Sequence, residues 1–232
     1  MTNLIEVNSL SKKYGSKLVL DNISLTFESG TIIGLIGPNG CGKTTFIKIL
    51  SGLIRDYNGS VKIDGHSPDE YTKSIVSYLP EKTYLSDWMK IKDAIMFFND
   101  FYSDFDKNKA ETMIRQFGLD PEQKIKSMSK GMQEKLQLVL VMSRNAKVYL
   151  LDEPLGGLDP ASRRAMLDII LNNYSENSLV LISTHLIYAV ERIFDRVVMI
   201  GGGKIMVNDT VDNLRESTGK SIEGLFEEVF KC

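Results

Sequence analysis

The spacing of hydrophobic positions changes several times along the chain, and each change marks an element. Over residues 1–30 apolar and polar side chains alternate in period two, through Leu4-Ile5-Glu6-Val7 and again over 18–27, around the turn-rich Tyr14-Gly15-Ser16. This predicts an antiparallel β region. Ile32-Ile33-Gly34-Leu35-Ile36 is a short apolar run that ends in a glycine-rich loop, after which Phe46, Ile49, Leu50 and Leu53 recur at helical spacing. The unit reads as strand, loop, helix. Continuous apolar runs at 75–79, 148–151, 179–183 and 197–200 have the composition of parallel strands buried on both faces, with helical stretches between most of them. Between Trp88 and Asn145 strand signals vanish. There, 91–101 and 107–117 read as helices, the second stopped by Gly118. Gly201-Gly202-Gly203 between two strand-like runs predicts a hairpin, and the last twenty residues read as a mostly polar helix.

Composition narrows the class. The chain has 232 residues, 43% of them hydrophobic and 25% charged, the balance of an ordinary globular domain able to bury its own core. A formal net charge of −2 without a long basic run lacks the electrostatic footprint of a nucleic-acid binder. Two cysteines, Cys41 and Cys232, form no disulfide-like pattern and suit a reducing compartment. No basic-then-apolar leader opens the chain and no run reaches the roughly 18 apolar residues of a membrane span, so it is expected neither to enter nor to span a membrane alone.

Gly37-Pro38-Asn39-Gly40-Cys41-Gly42-Lys43-Thr44 fits the phosphate-binding pattern G-x-x-x-x-G-K-[ST], after a predicted strand and before a predicted helix. The glycines let the backbone wrap so that successive N–H groups point at phosphate oxygens, and the helix that follows adds its positive end. Lys43 is placed to reach the β- and γ-phosphates, Thr44 to offer its hydroxyl to Mg²⁺, and Thr45 to bond the α-phosphate, while Cys41 fills a small loop position. The plainer alternative is a glycine-rich turn that binds nothing. A second feature is Asp152-Glu153, delivered by the apolar run 148–151 to a strand's C-terminal end, where open α/β sheets bind ligands. Asp152 is expected to hold Mg²⁺ through its water shell and Glu153 to polarise the attacking water. The competing reading is an acidic strand end that caps the next helix.

Many phosphate-loop ATPases share those features. Met128-Ser129-Lys130-Gly131-Met132-Gln133, which opens an apolar helix upstream of Asp152, resembles the LSGGQ signature of ABC ATPases, and the resemblance covers essentially the whole chain. It implies an α/β fold: a P-loop NTPase three-layer core with a mostly parallel sheet, an N-terminal antiparallel β subdomain and an inserted helical subdomain. Residues 1–232 then form one ATPase domain, with the helical subdomain at about 85–145 and a helical tail at about 211–232. Tyr14 resembles the family's adenine-stacking aromatic, although aromatics in β regions usually pack in cores. Glu81 stands where the Q-loop glutamine is expected, as a metal-site residue or as an exposed acid after Pro80. Leu158-Asp159 resembles the D-loop, and Asp159 before Pro160 also suits a plain N-cap. His185 resembles the switch histidine, placed to bond the γ-phosphate and orient water beside Glu153; His66 reads as surface.

Ser129 resembles an N-cap whose helix aims amides and hydroxyl at a partner's γ-phosphate. Ser129 and Gly131 are kept, whereas Lys130 and Met132 depart from the signature. Lys130 reads either as a phosphate contact or as a solvated lysine. The resemblance implies ATP and Mg²⁺ as ligands, a second ATP-binding subunit in a head-to-tail homo- or heterodimer, and a separate transmembrane subunit. It implies a cytoplasmic chain, peripheral on the inner face of the membrane, powering transport and by preference export. Phe97, Phe98, Phe101 and Tyr102 are a possible contact for the membrane subunit, or the insert's own core. The rival readings are a non-transport ABC ATPase and a regulatory module that binds ATP without turnover. A base-reading Asn-Lys-x-Asp stretch, needed for a GTPase, is absent from the sequence.

Overall fold

A computed structural model describes residues 3–231; Met1, Thr2 and Cys232 lie outside them, and so do the readings placed on them. Strands β1 (Asn3–Tyr14) and β2 (Lys17–Glu28) pair antiparallel, and β4 (Asn58–Ile63) joins the other edge of β1. The second sheet contains β3 (Ile32–Ile36), β5 (Val76–Leu79), β6 (Val148–Asp152), β7 (Leu179–Thr184), β8 (Arg196–Gly201) and β9 (Lys204–Thr210). Its order is β5-β6-β7-β3-β8-β9, parallel from β5 to β8, with β9 antiparallel at the edge. The expected α/β class, with an antiparallel N-terminal sheet beside a mostly parallel one, is the observed one.

Because side chains alternate across a strand, the parallel sheet feeds two cores. Ile33, Leu35, Val148 and Leu150 face the antiparallel sheet and α1 (Lys43–Leu50), which adds Phe46, Ile47 and Ile49. Ile32, Ile36, Tyr149 and Leu151 face the opposite layer. That layer receives α3 (Ile91–Phe101), α4 (Lys107–Gln116), α5 (Lys130–Met142) and α6 (Pro160–Asn173). The remaining helices are α2 (Glu70–Ile75), α7 (Ile187–Val190), α8 (Val211–Thr218) and α9 (Ile222–Phe230). Among the described residues no helix is long and apolar enough to cross a membrane.

Several boundaries differ from the sequence reading. Leu53 lies past the end of α1 and is 62% exposed, because Gly52 turns left-handed (φ +73°) and lets the Leu53 and Ile54 amides close on the Lys48 carbonyl. Ile75 closes α2, a six-residue helix started by an Asp69–Thr72 capping box, so the strand begins at Val76. Strand β4 was not anticipated, its polar half being exposed. The C-terminal stretch is two helices broken at the left-handed Gly219, and each buries apolar residues, Val211 and Leu214 in α8 and Ile222 and Leu225 in α9. Of the α3 aromatics, Phe98 is buried whereas Phe97 and Phe101 are 55% and 67% exposed.

Arg144 follows α5 and ties three segments together. Its guanidinium is 3% exposed, bonds Asp104 at 3.0 and 3.1 Å, donates to the Val76 and Ser74 carbonyls, and stacks 3.9 Å from the Tyr102 ring centroid. The Tyr149 hydroxyl donates to the Arg144 carbonyl, and burial pushes that phenol up to about 12. Removing Arg144 leaves a carboxylate and two carbonyls without their donor. Arg144→Met is expected to cost about 3–5 kcal/mol in urea unfolding, whereas Lys90→Met, at an exposed ion pair with Glu122, leaves the midpoint nearly unchanged. A mild Arg144→Met would show that the guanidinium is not the tie.

Candidate functional site

The loop from Gly37 to Gly42 leaves the C-terminal end of β3, and its glycines are required by close approach and by backbone sign. A Cβ on Gly37 would lie 2.3 Å from the Ile200 carbonyl oxygen. Gly42 caps α1 at φ +114° with no side chain bonding the first turn, and a Cβ there would lie 2.7 Å from Leu20 Cδ2. The leading amides of an eight-residue helix therefore have no side-chain acceptor, the arrangement that suits an anion. Pro38, Asn39, Gly40, Cys41, Thr44 and Thr45 follow the loop into α1, and burial pushes the Cys41 thiol up.

Lys43 is 6% exposed, with Nζ donating to the Gly37 carbonyl at 2.7 Å and to that of Pro38 at 3.3 Å. The same ammonium lies 3.8 Å from Glu153 Oε1, and Glu153 Oε2 is 2.9 Å from His185 Nδ1. Glu153 thus stands between a cation from the loop and an imidazole from the end of β7. Its backbone is left-handed (φ +52°), uncommon for a residue with a side chain and characteristic of sites where geometry is over-determined. That twist turns the carboxylate away from the direction strand continuation would give it.

Asp152 is 1% exposed. Its Oδ1 accepts from the Thr44 hydroxyl at 3.2 Å and the Ser183 hydroxyl at 2.6 Å, while Oδ2 is buried without a partner. Burial raises the carboxyl pKa and the negative charge of Glu81 adds to it, against the two hydroxyls and Lys48. A buried carboxylate oxygen with a threonine hydroxyl beside it is the hard-oxygen chemistry that a magnesium ion accepts. Ser183, to which the sequence reading gave no role, also receives the Glu153 amide on its hydroxyl (3.0 Å) and on its carbonyl (3.1 Å). The available signal was two hydroxyl residues, Ser183 and Thr184, closing an otherwise apolar strand.

An open cavity of about 1060 Å³ joins Lys43, Thr44, Glu81, Glu153, His185 and the start of α5. Among the described residues, Tyr14, Ser129, Gly131 and Asp159 do not line it. Tyr14 is 50% exposed at the end of β1, not packed in a core. Ser129 is the exposed N-cap of α5, accepting from the Met132 amide at 3.3 Å, and Gly131 is half-buried, where an added Cβ would lie 3.4 Å from Leu158 Cδ2. Lys130 is 79% exposed and 3.5 Å from Glu134. Asp159 caps α6, accepting from the Ala161 and Ser162 amides at 3.0 Å. The Ser162 side chain first, and then these amides, hold its carboxyl below the usual range. His66 is an exposed surface residue against Tyr71.

A family model for ABC transporters matches residues 20–156. The chain belongs to the ABC transporter family. Its place there is that of the ATP-binding subunit. It is 34% identical over 220 residues to an uncharacterized ABC transporter ATP-binding protein of Methanocaldococcus jannaschii, covering 90% of this chain and 79% of that one. It is 31% identical to the lantibiotic transport ATP-binding protein SrtF of Streptococcus pyogenes, over 97% and 99% of the two chains. A solved structure of an ATP-binding subunit of an ABC transporter superposes with a TM-score of 0.87 at 28% identity, covering 98% of this chain and 99% of that one.

The buried Asp152 gives this ABC subunit a testable pH signature. A carboxyl whose pKa is raised by folding is penalised in its charged form above that pKa, and the penalty fades as pH falls through it. Without nucleotide, Asp152→Asn is therefore expected to melt higher than the unaltered chain at pH 7, the gap closing as the solution is acidified. A lower melting temperature for the variant at pH 7 would contradict this electrostatic account.

Proposed function

We propose that this chain binds MgATP in the Gly37–Gly42 cradle, hydrolyses it in a dimer with a second ATP-binding subunit, and so drives transport through a separate transmembrane subunit. The observation that carries the reading is the continuous line Lys43–Glu153–His185 at the mouth of an anion-binding loop. The loop amides of Gly37, Gly40 and Gly42 and the α1 amides of Lys43, Thr44 and Thr45 hold the phosphates, and the Lys43 ammonium leaves the loop carbonyls for the β- and γ-oxygens. Asn39, Pro38 and Cys41 shape the loop. Tyr14 stacks on the adenine.

Thr44 and Asp152 hold magnesium, with Glu81 near by; when bound, the ion neutralises the charge that develops on the γ-phosphate. Glu153 accepts the proton of the attacking water, and His185, bonded to Glu153, orients that water and the γ-phosphate. Ser129 is exposed and neither it nor Gly131 lines this chain's own cavity, so the phosphate contact they make belongs to the partner's nucleotide, and Asp159 sits at the same seam. The full-length similarity to a lantibiotic transport ATP-binding protein supports transport, and export is the direction we infer.

Residues 1–232 act as one ATPase domain, with the helices of about 85–145 as its membrane-subunit face and about 211–232 as its tail. The exposed Trp88, Met96, Phe97 and Phe101 supply an apolar surface on that face. Attachment to the membrane, at its cytoplasmic face, is through the partner.

Glu153→Gln is expected to lower steady-state hydrolysis by about 10²–10⁴-fold while leaving ATP binding in place. Specific activity of the unaltered chain should rise with protein concentration, because each site needs two subunits. Concentration-independent turnover, or a Glu153→Gln chain with normal turnover, would remove this mechanism. If Glu81 adds charge at the metal, Glu81→Gln weakens Mn²⁺ binding to the ATP-loaded chain about tenfold in electron paramagnetic resonance titrations. Unchanged Mn²⁺ affinity places Glu81 outside the metal site.

A further inference from the structure

Lys12 and Tyr14 lie two positions apart on β1, and the Lys12 ammonium reaches over the Tyr14 ring. Lysine is almost never fully buried. Lys12 is nonetheless 6% exposed. Its ammonium donates to the main-chain carbonyl of Asp56 and to Asp56 Oδ2 at 3.0 Å, and lies 5.0 Å from the centroid of the Tyr14 ring, over the ring. The Asp56 side chain is fully exposed, so this pair is no buried salt bridge of the core.

Burying an ammonium is costly, and an apolar side chain would fill the same space without that penalty. What the cation supplies in particular is attraction to the negative face of an aromatic ring. Anchored by a carbonyl that belongs to the backbone, it fixes the plane of Tyr14. With one face of the ring held by the ammonium, the remaining face and edge of this half-exposed side chain are left for another flat π-system. Tyr14 itself makes no hydrogen bond from its hydroxyl among the contacts of the described residues that would fix the ring instead.

We infer that Lys12 is a positioning residue for the nucleotide base: it holds Tyr14 as a stacking platform and governs the part of the affinity that comes from the base rather than the triphosphate. The inference rests on the reading of Tyr14 as the adenine-stacking residue. Lys12 itself touches no phosphate in this scheme. Its loss is therefore felt only by ligands that carry a base.

The test is isothermal titration of the full chain with MgATP and, separately, with magnesium tripolyphosphate. Lys12→Met should weaken ATP about three- to fivefold, the size of a partly desolvated cation–π contact, and leave tripolyphosphate unchanged. Lys12→Arg should restore ATP binding, and in a Tyr14→Ala chain the Lys12→Met change should add nothing. Lys12→Gln, which keeps a donor for the Asp56 carbonyl but removes the charge, should weaken ATP in the same direction if Lys12→Met fails to fold. Equal weakening of both ligands would make Lys12 a structural residue and overturn the inference. So would unchanged ATP affinity in Lys12→Met, or in Lys12→Gln where that variant stands in for it. If Tyr14→Ala leaves ATP affinity unchanged, the stacking reading falls and takes this inference with it; a normal Tyr14 effect beside a silent Lys12→Met removes the inference alone.

Discussion

Everything at the site depends on the parallel register of three strands. Ile36 at the end of β3 lies opposite Thr184 in β7, and Asp152 at the end of β6 lies opposite Ser183. Because all three strands run the same way, their C-terminal ends meet at one edge, where chain reversals release the loop of Gly37, the pair Asp152-Glu153 and the imidazole of His185. A one-residue slip would turn each side chain to the other face of the sheet. The near-continuous apolar runs of these strands are buried on both faces.

The same register concentrates unfavourable features. Asp152 is a buried carboxylate with one unpaired oxygen, Lys43 an almost buried ammonium resting on carbonyls, and Glu153 a left-handed non-glycine residue. Each is costly by itself, and each would be eased by a ligand that brings phosphate oxygens to the ammonium and a cation to the carboxylate. The stability of the two cores offsets these costs. Ser183 serves both acids at once, through its hydroxyl and its carbonyl, so a single residue of the middle strand fixes where Asp152 and Glu153 stand relative to each other.

The conformation of the Gly37–Gly42 loop was legible from residue order because it is set by the backbone: glycines at fixed offsets between an apolar strand and a helix leave few other conformations. Asp152 and Glu153 were legible as acids at the end of an apolar run. The closeness of Glu153 to both Lys43 and His185 was not, since it arises from pairing across more than a hundred residues and from one left-handed φ. Ser183 and Lys12 escaped notice for a related reason, their roles being set by what lies beside them in space. Strand β4 and helix α2 are short and half polar, so their periodicity carries little signal, and the division of α3 aromatics between core and surface depends on which neighbours cover them.

The most direct measurement is a crystal structure of the Glu153→Gln chain grown with ATP and Mg²⁺. The account predicts the triphosphate in the Gly37–Gly42 loop with Lys43 Nζ on its β- and γ-oxygens, the metal beside Thr44 and Asp152, and Ser129 of a second copy against the γ-phosphate. A triphosphate bound elsewhere, or a metal remote from Asp152, would contradict it.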